Sequence, residues 1–294
     1  MSRIVCFGEV LWDVFPNHKK IGGAPLNVAL RLASFGHEVG MVSAVGSDDH
    51  GRLILDFMSK RHVNTDSVQV INDFETGVVD VTLNSKGSAS YVIKHPSAWD
   101  KMALTENLKE LVKQADAIVF GSLITRDAVS KNTLFKLLEA ADYKIFDLNL
   151  RPPHYSYDII ADLMERADFI KFNDDELYEI SKQIGSRYHN LEQNLMYVAK
   201  RTNTKHLCVT KGEHGAVLLY DNRLYYNSGY QIKLVDTVGA GDSFLGTLIS
   251  QLLNKVNPQK AIDMACAVGA LVAQSEGANP ELSLEKIQNF MNID

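Results

Sequence analysis

Short runs of apolar residues alternate with helical patterns over most of the chain. The runs are typical of buried parallel strands and lie at residues 4–7, 39–44, 117–120, 144–146, 169–172 and 206–210. Hydrophobic positions with helical spacing predict helices between them, at residues 26–35, 51–60, 105–113, 133–141, 159–166 and 191–200. The alternation predicts a three-layer α/β/α fold with a mainly parallel central sheet, built from right-handed βαβ units. Ligands of such sheets bind at the carboxyl ends of the strands.

One stretch breaks this alternation. Residues 76–93 alternate apolar and polar positions around a turn at residues 84–87, which predicts a hairpin without a helix. Residues 10–22 are expected to add a strand beside it. We therefore expect a single domain over residues 1–294, with a small β lid formed by residues 10–22 and 76–98 that closes a substrate off from water. The alternative is an ordinary edge hairpin with no such role.

The last part of the chain is predicted to be helical. Apolar residues recur at one-face spacing after Gly241, which indicates a helix there. Two further helices are predicted at residues 259–275 and 284–291. No internal repeat, linker or low-complexity segment interrupts the chain, in keeping with one domain.

Composition and charge narrow the class of protein. The chain has 294 residues, 46% of them hydrophobic, and no apolar run near the roughly 18 residues that a membrane helix needs. Its beginning lacks the apolar stretch of a signal peptide, and Cys6, Cys208 and Cys266 lie in apolar surroundings, as core thiols of a reduced protein do. We therefore expect a cytoplasmic protein without a membrane partner. A net charge of −6 also argues against nucleic-acid binding through the overall field of the protein.

The sharpest chemical signal lies at residues 236–242, with the sequence Asp-Thr-Val-Gly-Ala-Gly-Asp. The small residues Gly239, Ala240 and Gly241 precede a helix and leave its first backbone N–H groups open to an anion such as a phosphoryl group. Asp242 lies in the first turn, where a carboxylate stabilises a helix. It can equally be a general base aimed at a hydroxyl beside the phosphate. The residues alone leave both interpretations open.

Other nucleotide-binding and hydrolase motifs are absent from the sequence. No Gly-Lys dipeptide occurs, which excludes a Walker A loop. Phe244 stands where a dinucleotide fingerprint that begins at Gly239 needs its third glycine. His-Glu-x-x-His and Gly-x-Ser-x-Gly are also missing. These absences argue against P-loop enzymes, Rossmann dehydrogenases, zinc proteases and α/β-hydrolases.

A second cluster of candidate residues lies near the beginning of the chain. Gly22 and Gly23 permit close approach of the backbone to a ligand, and Asn27 falls one turn into the following helix with a donor and an acceptor available. Asp13 follows the first strand, where its carboxylate can accept hydrogen bonds from vicinal hydroxyls. Each polar residue also has a plainer explanation as a helix cap or a turn residue.

The two glycine-rich motifs, at residues 22–27 and 236–242, resemble in order and separation the two signatures of the ribokinase (PfkB) family of carbohydrate kinases. The resemblance spans essentially the whole chain. It implies a ribokinase-like fold and transfer of the γ-phosphoryl group of ATP to a sugar hydroxyl. It also implies that Asp242 takes the hydroxyl proton, and that the amides of residues 239–241 stabilise charge on the transferred group.

The resemblance implies positions for cations. Asn173 and Glu176 match the family's Asn-x-x-Glu element, which is associated with Mg²⁺ and its waters near the phosphates. Acids that stabilise a helix N-terminus are the plainer explanation of this segment. Asp236 corresponds to a monovalent-cation site in many members of the family, which leaves K⁺ binding open.

The resemblance also implies a nucleotide site. Thr210, Gly212 and Gly215 follow a predicted strand and look like the family's nucleotide-binding turn. Adenine is expected between this turn and the helix that carries Cys266. Asn173 and Gly241 are the further nucleotide contacts expected from the resemblance.

For the acceptor, Asp13, Gly23 and Asn27 match the family's sugar-hydroxyl ligands. The segment that contains Arg151 resembles one found in the fructokinase and 2-keto-3-deoxygluconate kinase branches, where this arginine would contact substrate or phosphate oxygens. Pairing of the arginine with a surface acid is the alternative. Residues 7–16 look most like fructokinases, so the resemblance favours fructose as acceptor and fructose 6-phosphate as product.

Other acceptors and a different class of function stay open. A 2-keto-3-deoxygluconate kinase would use Arg151 on a carboxylate, a ribokinase or nucleoside kinase would take another acceptor, and a sugar sensor would bind without turnover. A phosphosugar acceptor is disfavoured because Lys86 and Lys94 are the only cations between residues 76 and 98. The exposed strands of the lid would also allow a homodimer.

Overall fold

The computed structural model describes residues 1–83 and 89–292. Its strands are β1 (Arg3–Phe7), β2 (Leu11–Val14), β3 (Lys19–Gly22), β4 (Glu38–Gly46), β5 (Val63–Asn64), β6 (Val68–Ile71), β7 (Gly77–Leu83), β8 (Ala89–Ile93), β9 (Ala117–Gly121), β10 (Lys144–Asp147), β11 (Phe169–Asn173), β12 (His206–Thr210), β13 (Ala216–Tyr220) and β14 (Arg223–Asn227). Its helices are α1 (Ala24–Ser34), α2 (Asp49–Ser59), α3 (Glu106–Lys113), α4 (Ala128–Leu138), α5 (Tyr157–Arg166), α6 (Asp174–Gln183), α7 (Leu191–Thr202), α8 (Ala240–Leu253), α9 (Pro258–Ala273) and α10 (Leu284–Met291). The turn predicted at residues 84–87, and with it Lys86, lies outside the described residues.

The central sheet is mainly parallel, as predicted. Its strands lie in the order β14-β13-β12-β11-β10-β9-β1-β4-β5, and β6 also pairs with β4. The pairs from β12 to β4, and those of β4 with β5 and β6, are parallel, whereas β13 and β14 are antiparallel to their neighbours. Each apolar run predicted as a strand forms part of the parallel sheet. The sequence analysis missed β13 because it follows β12 after a short turn, without the helix that a βαβ unit requires.

Buried side chains on the two faces of the central sheet form two separate clusters. In β1, Val5 and Phe7 belong to one cluster, and Ile4 and Cys6 belong to the other, because successive side chains of a strand point to opposite faces. The first cluster includes residues of α3 to α7, and the second includes residues of α1, α2, α8 and α9. Helices therefore cover both faces, which confirms the three-layer α/β/α architecture.

A separate small sheet begins shortly after the carboxyl end of β1. Its strands lie in the order β3-β2-β7-β8, with β2 antiparallel to β3 but parallel to β7, and β7 antiparallel to β8. The hairpin predicted at residues 76–93 is confirmed, but residues 10–22 form two strands rather than one. Because β3 leads directly into α1, the small sheet lies next to the first of the two predicted motifs.

The predicted start of α4 at residue 133 is wrong. The helix begins at Ala128, because the side chain of Asp127 accepts a hydrogen bond from the N–H of Val129 and so caps an earlier turn. The first turns of α4 carry few apolar residues in a helical pattern, so the cap rather than the pattern sets the boundary.

The structure shows where the cysteines lie and whether its described helices are long and apolar enough to span a membrane. Cys6, Cys208 and Cys266 are buried free thiols, as predicted. Within residues 1–83 and 89–292, no helix is long and apolar enough to cross a membrane.

A buried arginine ties the small sheet to the central body. The guanidinium of Arg126, which lies shortly after β9, donates two hydrogen bonds to the Asp100 carboxylate at 2.8 and 2.7 Å and stacks over the Trp99 ring at 3.9 Å. Its Nη2 also donates to the carbonyl of Lys94, the residue after β8, at 2.6 Å. The side chains of Arg126 and Asp100 are only 2% and 0% exposed. Since neither buried charge is tolerated without the other, the pair fixes the end of β8 relative to β9.

Replacing Arg126 with Met is therefore expected to destabilise the fold. The change leaves the Asp100 carboxylate buried without its cation, which costs about 3–5 kcal/mol. Arg166→Met is the matched control, because Arg166 also pairs with an aspartate and stacks on a phenyl ring but is exposed, and here we expect a loss of about 0–1 kcal/mol. Urea unfolding of the two variants measures both values. Equal losses would contradict the role assigned to Arg126.

Candidate active site

A tight turn opens α8. Gly239 has a φ of 76°, in the left-handed region, and a Cβ at this position would collide with Ala278. Backbone conformation and packing therefore both require glycine. The N–H of Ala240 donates to the Thr237 carbonyl at 3.2 Å, and Gly241 follows in the first turn of the helix. This turn is the positive end of α8, where the negative charge of a phosphoryl group is favoured.

A chain of hydrogen bonds holds Asp242. Its Oδ2 accepts from Nδ2 of Asn27 at 2.8 Å, and Oδ1 of Asn27 accepts from Nδ2 of Asn279 at 2.7 Å. Burial raises the pKa of Asp242 to about 6; the negative charge of Asp147 adds to this rise, and the hydrogen bond from Asn27 opposes it. The structure thus brings the two predicted residues Asn27 and Asp242 together, with the carboxylate able to exchange a proton near neutral pH.

A buried lysine lies beside the first turn of α8. Nζ of Lys171 pairs with Oδ1 of Asp147 at 2.9 Å, which joins β11 to β10. It lies 3.5 Å from the position that a Cβ of Gly241 would take. Burial disfavours the charge of Lys171, but neighbouring carboxylates, that of Asp147 first, outweigh it and raise the pKa of the ammonium. The sequence analysis missed Lys171, although a lysine inside the apolar run 169–172 was a usable signal, since lysine is rarely buried unless it is paired.

Carboxylates and one arginine lie on the side of the site next to the small sheet. Burial raises the pKa of Asp13, on β2, to about 6 and that of Glu9 to about 7, and the positive charge of Arg151 opposes both shifts. Arg151 also opposes the shift of Asp242, so its charge acts on all three carboxylates. Its Nη1 donates to the carbonyl of Leu150 at 2.9 Å. Glu9, which the sequence analysis did not single out, therefore belongs to the same group of interacting charges as Asp13, Arg151 and Asp242.

Gly23 has a packing role in the structure. It caps α1 with a φ of 118°, and a Cβ at this position would collide with the carbonyl of Glu9. The carboxylate of Glu9 accepts from the N–H of Ala24 at 3.3 Å. The glycine therefore lets the start of α1 approach the segment after β1, which brings Asn27 into the site.

A lysine of the small sheet contacts the carboxylate that the resemblance assigns to a monovalent cation. Nζ of Lys20, on β3, lies 3.3 Å from Oδ2 of Asp236, which also accepts from the N–H of Gly277. Oδ1 of Asp236 accepts from the N–H of Val238 at 3.0 Å. The sequence analysis missed Lys20 because its partner is 216 positions away along the chain. Lys20 supplies positive charge at this position, and a K⁺ site at Asp236 stays a prediction.

Asn173 and Glu176 form the capping box of α6. Oδ1 of Asn173 accepts from the N–H of Glu176 at 2.7 Å, and Glu176 accepts from the N–H groups of Asn173 and Leu150, both at 2.8 Å. The plainer explanation of this segment, a stabilised helix N-terminus, is therefore present. Among the residues that the structure describes, no group of three metal-ligating side chains occurs. A Mg²⁺ ion here would take most of its ligands from water and phosphate, as this ion commonly does.

The predicted nucleotide-binding turn lies at the same edge of the sheet. Thr210 ends β12 and pairs in register with Asn173 at the end of β11. Gly212 and Gly215 follow in a turn, with φ values of 56° and 76°. Burial raises the pKa of Cys266 on α9 to about 12, and the charge of Lys211 in this turn opposes that rise. The structure thus places Thr210 beside Asn173, and the nucleotide roles of the turn and of Cys266 stay predictions.

Comparison with known sequences shows which family of proteins the chain resembles. A family model described as "pfkB family carbohydrate kinase" matches residues 1–285. Among curated proteins, "Probable fructokinase-6, chloroplastic" of Arabidopsis thaliana is 29% identical, covering 95% of this chain and 79% of its own length. "Fructokinase" of Solanum tuberosum is 28% identical, covering 96% of this chain and 93% of its own length.

Solved structures with similar folds support the architecture. A fructokinase from Xylella fastidiosa with bound ATP has a TM-score of 0.86 at 22% identity, with 98% of each chain covered. A fructokinase double mutant from Vibrio cholerae O395, in fructose, ADP and potassium ion bound form, has a TM-score of 0.85 at 24% identity, with 99% of each chain covered. The predicted ribokinase-like fold is thereby confirmed, and so, at the level of the family, is the expectation of an ATP-dependent carbohydrate kinase. The chain belongs to the pfkB family of carbohydrate kinases.

Proposed function

We propose that the chain transfers the γ-phosphoryl group of ATP to fructose and forms fructose 6-phosphate. The observation that carries the proposal is a carboxylate, Asp242, at the positive end of α8, oriented by Asn27 and close to Asp13 and Arg151. Such an arrangement suits proton abstraction from a hydroxyl that attacks a phosphoryl group. The named relatives support fructose as the acceptor, because those quoted above are fructokinases.

Asp242 acts as the general base in this proposal. Its hydrogen bond to Asn27 sets the direction of the carboxylate. A pKa of about 6 leaves the group mostly ionised at neutral pH, yet basic enough to take a proton in the transition state. Asp13, Gly23 and Asn27 hold hydroxyls of the sugar, and Arg151 contacts oxygens of the sugar or the phosphate.

Negative charge on the transferred phosphoryl group is stabilised by the N-terminus of α8 and by the ammonium of Lys171. The amides of residues 239–241 lie at the N-terminus of α8, and the ammonium of Lys171 lies beside Gly241. The amide of Ala240 exchanges its bond to Thr237 for one to the phosphate. Phosphoryl transfer depends mainly on such positioning and electrostatics, so few side chains are needed.

The nucleotide and its cations occupy the other end of the site. Thr210, Gly212 and Gly215 bind the nucleotide, with Cys266 facing the adenine. Asn173 and Glu176, the capping box at the start of α6, would hold water ligands of a Mg²⁺ ion bound with ATP, and the ion would neutralise charge on the phosphates. Two Vibrio cholerae fructokinase structures have a potassium or a calcium ion bound. By analogy, we propose that this chain binds K⁺ at Asp236.

The small sheet acts as a lid over the acceptor in this proposal. It carries Asp13 on β2 and Lys20 on β3, so its closure brings polar groups as well as shielding from water. Domain limits of 1–294, a homodimer through the outer strands of this sheet, and a cytoplasmic location stay predictions.

A second acceptor is favoured by one observation. Lys20 lies opposite Asp13 in the β2–β3 pair, and the charges of Arg151 and Lys20 both oppose the rise in the pKa of Asp13. Cations beside the sugar suit an acceptor that has a carboxylate, such as 2-keto-3-deoxygluconate, which fructose lacks. A comparison of acceptors therefore belongs in the first experiment.

That experiment measures ADP release with Mg-ATP against fructose, ribose, 2-keto-3-deoxygluconate and adenosine. We expect turnover with fructose and a kcat lower by about 10²–10⁴-fold in Asp242→Asn, since the variant loses its general base. Asp49→Asn is the matched control, because Asp49 lies in the first turn of α2 and only stabilises that helix. Turnover with another acceptor alone would contradict the fructose assignment, and full turnover by Asp242→Asn would contradict the base assignment.

The pH dependence of kcat/KM is expected to follow Asp242. The group must be ionised to accept a proton, so activity should fall about tenfold per pH unit as the pH drops below about 6. An ordinary aspartate would place this acid limb near pH 4. A profile with saturating metal measures the limb, and a limb near pH 4 would show that the base is not the buried carboxylate.

Asn27→Ala removes the donor that lowers the pKa of Asp242. We expect the acid limb to move to higher pH by about one to two units, because a hydrogen bond to a charged group is worth about 1.5–3 kcal/mol. Asn279→Ala is the control, since it removes a partner of Asn27 but no contact to Asp242. The same pH profiles measure both variants. A limb that stays in place in Asn27→Ala would mean that another group titrates.

A further inference from the structure

A cavity lined by basic residues lies behind the catalytic carboxylate. It has a volume of about 220 Å³ and lies between the end of α1, residues 60–62 after α2, and residues 279–281. This is the space of roughly seven water molecules at about 30 Å³ each, enough for a phosphate group and part of a small molecule attached to it. Its lining contains Arg31, Lys60, Arg61 and His62 against a single acid, Glu281.

The buried arginine in the wall has no salt-bridge partner among the residues that the structure describes. Arg31 is 3% exposed, and its guanidinium donates to two neutral oxygens, Oγ of Ser243 at 3.4 Å and the carbonyl of Pro280 at 3.2 Å. The side chain of Arg126 is also buried, and it does form a salt bridge, to Asp100. Because five N–H groups belong to a guanidinium, donors of Arg31 are left for a further acceptor.

Favourable interaction with helix C-termini explains only part of the positive charge in the lining of the cavity. Arg31 lies in the last turn of α1, and Lys60 follows the last residue of α2, where positive charge complements the helix dipole. That effect is weak and operates at the surface. It gives no reason to bury a guanidinium beside neutral oxygens, since a buried charge normally has an opposite charge next to it.

We propose that this cavity binds a small anion of the phosphate class, with Arg31 at its base and Lys60 and Arg61 at its rim. The planar guanidinium matches two oxygens of a phosphate, and Arg61 is held in place by stacking on Phe57 at 4.1 Å. Inorganic phosphate and the phosphate monoester of a small sugar share this chemistry. The anion completes the charge balance that the chain leaves open at Arg31.

The position of the cavity links the anion to catalysis. Asn279 lines the cavity and donates to Asn27, which donates to Asp242. Arg31 also contacts Ser243, the residue after Asp242. The wall of the cavity is therefore connected, through Asn279 and Asn27, to the carboxylate that the proposed function makes the general base.

Calorimetric titration with inorganic phosphate at low ionic strength tests the binding site. Arg31 packs against Gly246 in the core, so the variant used is Lys60→Gln/Arg61→Gln, at the rim. We expect phosphate to bind about tenfold more weakly or worse to this variant, because two nearby charges are lost. Lys109→Gln/Lys136→Gln, on α3 and α4, makes the same change of net charge elsewhere and should bind as the wild type does. Equal affinity in all three proteins would overturn the proposal.

Two further measurements separate this site from the catalytic cleft. Selenate soaked into crystals should give an anomalous peak beside the guanidinium of Arg31, and a peak in the cleft alone would overturn the proposal. Fructose 6-phosphate, the product in the proposed function, also binds in the cleft, so its titration is compared between the wild type and Lys60→Gln/Arg61→Gln. A monoester held in this cavity should bind more weakly to the variant, whereas equal affinity would show that free phosphate, and not the monoester, is the ligand.

Discussion

The candidate active site depends on one buried ion pair. Lys171 and Asp147 join neighbouring strands beside the first turn of α8. Burial raises the pKa of Glu176 and of Asp242, and the positive charge of Lys171 opposes both shifts. Lys171 supplies a fixed positive charge in the same volume. Without Lys171, the carboxylates would repel one another in a poorly solvated space. A phosphoryl group could then approach them only against strong electrostatic repulsion.

The rest of the charge balance is brought by the small sheet and the loop after β10. Lys20 of the small sheet contacts Asp236 in the segment before α8, and the charge of Arg151 acts on Glu9, Asp13 and Asp242. These cations lie on elements at the periphery, whereas Lys171 lies on a central strand. The site therefore has a rigid positive centre and a more peripheral positive rim, and the contact of Arg126 with Lys94 fixes one end of that peripheral sheet.

Much of this architecture could be predicted from the chain, and the failures have physical causes. Apolar runs and helical spacing are local signals, so the parallel strands and most helices were predictable. The glycines that open α8 carry a signal of the same kind, since their smallness is visible in sequence. Pairings such as Lys20 with Asp236, or Asn279 with Asn27, join residues more than 200 positions apart. No local pattern encodes them, because they form only when elements distant in the chain pack against one another.

Arg126 and Arg31 both bury a positive charge, but the charge has different partners at the two positions. Arg126 has Asp100 beside it and serves to fasten one element to another. Arg31 is also buried but donates only to neutral oxygens, which belong to Ser243, next to Asp242, and to Pro280, next to Asn279. Burial lowers the pKa of Arg31 to about 10, so the group remains charged at neutral pH. A permanent charge without a counter-charge is least unfavourable where an anion from outside can reach it, and the adjoining cavity offers that access.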